Sequence, residues 1–144
     1  MNGPPPPLVR ELAELGYALM HALFQEAKEA LGRQGLSLQR AHFLGLLAQG
    51  VDAPSRLAAL LEASPSQVSH LVAALEREGL VERQVDPLDR RRFRLSLTAK
   101  GEEIQKRAQE VWLNVFAKRL ARLSPEEVQA FRDILVRLVR GAHG

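Results

Sequence analysis

Four arginines, Arg90, Arg91, Arg92 and Arg94, stand in the stretch "DPLDRRRFRLSLTAKG" (residues 86–101), beside two aspartates, Asp86 and Asp89. Like charges at that density repel one another, and a loop that faces only water has no use for them. An acidic partner outside the chain relieves the repulsion, and guanidinium groups match phosphate oxygens well. Just upstream, Ser64, Ser66, Gln67, Ser69, His70 and Arg77 supply hydroxyl, amide, imidazole and guanidinium groups in one short segment. Such groups hydrogen-bond base edges and phosphates. Together the two sets point to double-stranded DNA.

The charge distribution supports this. The chain has 144 residues and a formal net charge of +3, from 20 basic and 17 acidic residues. Residues 83–94 hold five arginines and two aspartates, which leaves 15 basic and 15 acidic residues elsewhere. The whole excess is one local patch, the footprint expected of a nucleic-acid binder.

The elements that must carry these residues follow from periodicity. Leu8, Leu12, Leu15, Leu19 and Leu23 recur at helical spacing and predict a long helix that ends near Gly32 to Gly35. Ser37 caps a helix carrying Phe43, Leu44 and Leu47, and "PSRLAALLE" (54–62) predicts a short one. In "SPSQVSHLVAALEREG", Ser64, Pro65 and Gln67 take the N-cap, first and third helical positions, a capping box with proline where its missing N–H costs nothing. Val68, Leu71, Val72 and Leu75 form the buried stripe of that helix, so Ser66, Ser69, His70, Ala73 and Arg77 face outward with Gln67 at their flank. The period then changes to two: "LVERQV" and "RFRLSL" flank the charged turn as a hairpin with one buried face. Two helices follow, one capped by Thr98 and one opened by the capping box "SPEE" (124–127).

A helix pair followed at once by a basic hairpin describes a winged helix-turn-helix, whose second helix enters the major groove. The fold class is mainly α with a small β-hairpin, flanked by long N- and C-terminal dimerisation helices. The divisions are a flexible proline-rich segment at 1–7, a dimerisation helix at 8–35, the DNA-binding lobe at 36–98, and C-terminal dimerisation helices at 99–144. In the wing, Asp89 and Arg91 are two residues apart and share a face of extended chain, so the carboxylate is expected to orient the guanidinium.

Several functions are excluded or unsupported. Without cysteine there is no disulfide, thiol sensor or Cys-ligated zinc. His21, His42, His70 and His143 show no helical pairing, so neither a metal nor any other cofactor is expected. No phosphate loop, nucleophile elbow or catalytic carboxylate pair appears, so the chain is not read as an enzyme. Glu126 and Glu127 are accounted for by capping and the helix dipole. Neither a signal peptide nor a membrane span is recognisable, and the expected location is the cytoplasm.

With these residues in view, "SPSQVSHLVAALEREGLVER" and "DPLDRRRFRLSLTAKG" resemble the recognition helix, wing and following helix of the MarR family of bacterial transcriptional regulators. The similarity runs from about Leu8 to Arg140. It implies a homodimer built from the first and last two helices, a pseudo-palindromic operator, and a wing arginine in the minor groove. The family often has arginine where this sequence has His70, which makes a contact there pH-dependent. It further implies a small aromatic or anionic effector, for which Tyr17, His21, Arg40, Phe43 and Trp112 are the candidate lining residues. The reading is thus a ligand-responsive repressor. A non-specific architectural DNA binder and a winged-helix protein-interaction module remain as alternatives, and Gln67 and His70 favour sequence-specific binding over the former.

Overall fold

The computed structural model describes residues 3–141. Six helices and one hairpin follow in the order α1 (Pro6–Gly32), α2 (Leu38–Ala48), α3 (Pro54–Leu61), α4 (Pro65–Arg77), β1 (Val81–Val85), β2 (Phe93–Leu97), α5 (Ala99–Leu120) and α6 (Pro125–Arg140). This matches the expected order, with one difference at the start. Pro6 and Pro7, read from sequence as part of a flexible segment, form the first turn of α1, with Pro5 as its N-cap. The first amides of a helix lack intrahelical partners, so proline there loses nothing, and its fixed φ suits the helix.

Most of the core lies in the lobe between α2 and the hairpin. Phe43, Leu44, Leu57, Val72 and Leu75 are almost completely buried, and Leu80, Val81 and Leu95 close the cluster from the hairpin side. A second, smaller cluster of Leu23, Ala27 and Val115 joins α1 to α5. By contrast α6 has no buried residue. Its Ile134, Leu138 and Val139, and Leu8, Leu12 and Leu15 on α1, face solvent.

β1 and β2 pair antiparallel from Val81 opposite Leu97 to Val85 opposite Phe93. The backbone N–H of Leu95 also donates to the carbonyl of Asp52 (2.9 Å), which extends the ribbon by one bond to the segment before α3. At the other end of the hairpin, three elements converge. Gly79 ends the recognition helix with φ +75°, the left-handed conformation that favours glycine. The Thr98 hydroxyl donates to the Gly79 carbonyl (2.6 Å) and accepts from the Gly101 amide (3.0 Å). Meanwhile the Thr98 amide donates to the Leu80 carbonyl (3.0 Å).

Gly101 is required at this junction. A Cβ there would lie 1.9 Å from the Leu80 carbonyl oxygen and 2.9 Å from its carbon, both backbone atoms that no rotamer change can move. Gly101→Ala is therefore expected to destabilise the chain by roughly 3 kcal/mol, at the upper end for overpacking. Thermal unfolding followed by circular dichroism should show a fall of about 10 °C in Tm. An unchanged Tm would mean that α5 can draw back from the hairpin freely.

Candidate nucleic-acid interface

The outward face of α4 is built as its sequence dictates. Ser64 Oγ accepts from the Gln67 amide (3.1 Å), and Gln67 Oε1 accepts from the Ser64 amide (2.8 Å). The Ser64 and Gln67 amides at the start of the helix are thereby satisfied, and Ser66, Ser69, His70 and Arg77 are exposed around them. Gln67 is consequently less free than a base-reading side chain would be. Its oxygen is committed to the cap, and its NH₂ group is the end left to donate outward.

The wing is folded by its two acids. The Asp86 carboxylate accepts from the Leu88 amide (2.9 Å), and the Asp89 carboxylate accepts from the Arg91 amide (3.0 Å). These are side-chain bonds to the backbone two residues on, which fix turns locally. Two backbone bonds complete the loop: Arg92 N–H to Asp89 C=O and Asp86 N–H to Arg92 C=O, both 3.0 Å. Arg90 and Arg91 occupy the centre of the turn and are exposed.

This corrects the expected role of Asp89. Its carboxylate holds the amide of Arg91, and the guanidinium nearest to it is that of Arg92, with Nε 3.9 Å from Oδ2. That pair is solvent-exposed and long, and adds little energy. Asp89 shapes the backbone that presents the arginines and leaves the Arg91 side chain unrestrained.

Arg83 must also be removed from the patch. Its Nε donates to Glu76 Oε1 (2.8 Å), and its guanidinium lies 4.4 Å above the Phe93 ring. It ties β1 to the last turn of α4 and to β2, a structural use of cation–π and ionic contact. The outward charge therefore comes from Arg90, Arg91, Arg92 and Arg94. A cleft of about 800 Å³ separates this wing from the start of α3, lined by Pro54, Ser55, Gln84, Arg91 and Arg94 among others.

The five residues expected to line an effector site do not come together. Phe43 is wholly buried in the lobe core. The Arg40 guanidinium is engaged by both carboxylate oxygens of Glu78, at 2.7 and 2.5 Å. Tyr17 and His21 stack on the exposed side of α1, with ring centroids 6.2 Å apart. Trp112 stacks against Phe24 (5.4 Å) and meets the edge of Phe116 (6.1 Å). Phe24 and Phe116, which are not among the expected lining residues, are the aromatic neighbours of Trp112. Among the described residues no group of three His, Asp or Glu side chains could hold a metal ion, and His143 lies outside them.

The Arg40–Glu78 pair joins the first turn of α2 to the C-cap of α4 across 38 residues. Lys100 Nζ adds a bond to the Glu78 carbonyl (3.1 Å). Hydrogen bonding from Arg40 holds the Glu78 carboxyl below its ordinary value near 4.5, with Lys100 and Arg77 adding to the effect.

Comparison with known proteins places this geometry. The sequence profile of the MarR family matches residues 34–92, from the corner before α2 through the wing. The transcriptional repressor Rv2887 of Mycobacterium tuberculosis is 32% identical over 130 residues, covering 88% of this chain and 94% of that protein. The transcriptional regulator HosA of Escherichia coli O111:H- is 37% identical over 84 residues, or 56% of this chain; the match spans 62% of HosA's own length. Among solved structures, Staphylococcus aureus MepR, described as a transcription regulator of a multidrug efflux pump, aligns with a TM-score of 0.76 at 25% identity, covering 89% of this chain and 96% of MepR. MepR bound to DNA aligns with a TM-score of 0.68 over the same shares.

The lowered Glu78 pKa makes its contribution pH-dependent. A carboxyl depressed in the folded state stabilises above its unfolded pKa and loses that contribution as pH falls through the folded value. Urea unfolding should therefore find Glu78→Gln less stable than the parent at pH 7, by less than about 1 kcal/mol because the pair is partly exposed. The difference should vanish once the pH is well below 4.5. A gap that persists in acid would show that shape, and not charge, holds α2 to α4.

Proposed function

This chain belongs to the MarR family, and on that premise we propose that it is a homodimeric, sequence-specific DNA-binding transcriptional regulator, a repressor released by a small ligand. The observation that carries the reading is the wing: a loop folded by two aspartate side chains that holds Arg90 and Arg91 outward at its turn. Charge presented on a pre-formed loop loses little conformational freedom on binding, which favours a specific contact. The capped, polar face of α4 beside it supplies groups of the kind that read base edges. The name of Rv2887, a repressor, and the crystallisation of MepR with DNA support the same reading.

The dimer is supported by the apolar surface that one chain leaves uncovered. Leu138 is 76% and Val139 81% exposed on α6, and Leu8, Leu12 and Leu15 of α1 are also open. An isologous pairing of these helices buries the same surface on both chains. Two-fold symmetry then calls for a pseudo-palindromic operator with half-site centres about 34–36 Å apart. The stacked aromatic side chains on α1 and α5 suit a planar aromatic effector. Such a regulator works in the cytoplasm and catalyses nothing.

Selection from a random duplex pool tests the function directly. The expected outcome is an inverted repeat, bound by a species that sediments as a dimer at micromolar concentration. Recovery of unbiased sequence, or a monomer, would overturn the reading. In the wing, Arg91→Ala should weaken binding to selected and random duplexes alike. The slope of log K against log salt should become shallower by about one.

Asp89 separates folding of the loop from net charge. Asparagine retains an oxygen for the Arg91 amide, so Asp89→Asn should bind at least as tightly as the parent. Asp89→Ala removes the acceptor and should bind more weakly, despite the same gain in positive charge. If both variants bind more tightly, the loop is only a reservoir of charge.

A further inference from the structure

Leu88 stands between the two aspartates of the wing and is 96% exposed, the highest value among the exposed large apolar side chains. Single exposed leucines are ordinary on protein surfaces, and those of α1 and α6 have a partner in the proposed dimer. Leu88 has neither account. It belongs to neither helix, and it is surrounded by charge. It is also held in place. Its own amide is fixed by Asp86, Pro87 precedes it with a restricted φ, and the turn closed by Asp89 follows directly. Four hydrogen bonds in a seven-residue loop thus present an isobutyl group to water, with Asp89 next to it and Arg90 and Arg91 following.

We propose that Leu88 inserts its side chain into the DNA minor groove and contributes sequence preference there as an apolar wedge. The inference rests on the DNA-binding reading and adds to it a residue that contacts the duplex without charge. The arginines beside Leu88 select a polyanion and bring the loop tip to the groove, about 6 Å wide, where the walls are sugar carbons. Apolar side chains delivered in this way part base steps and bend the duplex. Because pyrimidine–purine steps open most easily, the wedge favours such a step beneath the wing and reads sequence through deformability. Val85, 55% exposed at the base of the loop, widens the apolar surface that the groove would cover.

The test uses the full chain and a duplex recovered from the random pool, with 2-aminopurine substituted in turn at each step under the wings. Binding of the parent should raise fluorescence at one symmetry-related pair of steps, as the base there loses its stacking. Leu88→Ala should abolish that rise and weaken binding about ten-fold or more, the order expected for a leucine side chain no longer buried. The salt slope should stay the same, because no phosphate contact is lost. Leu88→Met, which keeps a long apolar side chain, should restore most of the fluorescence and affinity. Unchanged affinity and fluorescence in Leu88→Ala would overturn the wedge while leaving the DNA-binding reading intact. If the parent binds no duplex at all, that reading fails first and the wedge falls with it.

Discussion

Where the hairpin meets α5, the Leu80 carbonyl lies so close to residue 101 that only hydrogen fits between them. Around this contact the end of α4, the Gly79–Leu80 link to β1 and the first turn of α5 are held by backbone groups and one threonine hydroxyl. Joints made of backbone tolerate less adjustment than joints made of side chains, since no rotamer can absorb a displacement. The direction of the wing relative to α4 is thereby tied to the start of a 22-residue helix. Because α4 and the wing meet α5 at this joint, a displacement of α5 here would bear on both. The outer Arg40–Glu78 and Lys100–Glu78 bonds extend the same joint to α2.

The arginines divide by what their neighbours need. Arg40 and Arg119 bond to Glu78 and Glu26, 38 and 93 residues away, whereas Arg83 bonds to Glu76 only seven residues back and joins the consecutive elements α4 and β1. Partly exposed pairs of this kind contribute little to stability, and at Glu78 one guanidinium nitrogen of Arg40 serves both carboxylate oxygens. The wing arginines have only long, exposed pairs, Arg92 at 3.9 Å from Asp89 and Arg94 at 4.0 Å from Asp52. Asp86 and Asp89 each direct a carboxylate oxygen to the backbone, so the loop gains shape at small loss of its outward positive potential. Density of like charge and order of the backbone are therefore compatible in one short loop.

Local features were legible in the sequence, and distant ones were not. The capping boxes at Ser64 and Ser124 and the Thr98 cap depend on residues three apart and appear as read, whereas along β2 only Leu95 is fully buried and Ser96 is as covered as Phe93 and Leu97. The order of elements follows from them. What escaped was pairing across long separations: nothing near Arg40 announces Glu78, and nothing near Asp52 announces a bond to Leu95. Arg83 was counted with the patch because proximity in sequence hides which way a strand residue faces. The role given to Asp89 rested on the same shortcut, since residues two apart share a face only while the chain stays extended, and here it turns. Phe43 and Trp112 illustrate the limit for ligand sites, where an aromatic side chain reads alike whether it fills a core or lines a cavity.

The distribution of burial constrains how this chain reaches its working form. The lobe has its own close-packed core, whereas α6 buries no residue against the rest of the described chain. Isolated helices of about 12–15 residues are marginal in water, and most helical stability in proteins comes from packing an apolar face. The 16 residues of α6 have such a face, capped well at Ser124 and uncovered along Ile134, Leu138 and Val139. If a second copy covers it, assembly and the covering of α6 are one event, and the geometry of that contact sets the separation of the two wings. On the proposed function, the spacing of the two lobes is then decided by helices outside the lobe core. A ligand acting on α1 and α5 would need no contact with either wing to change it.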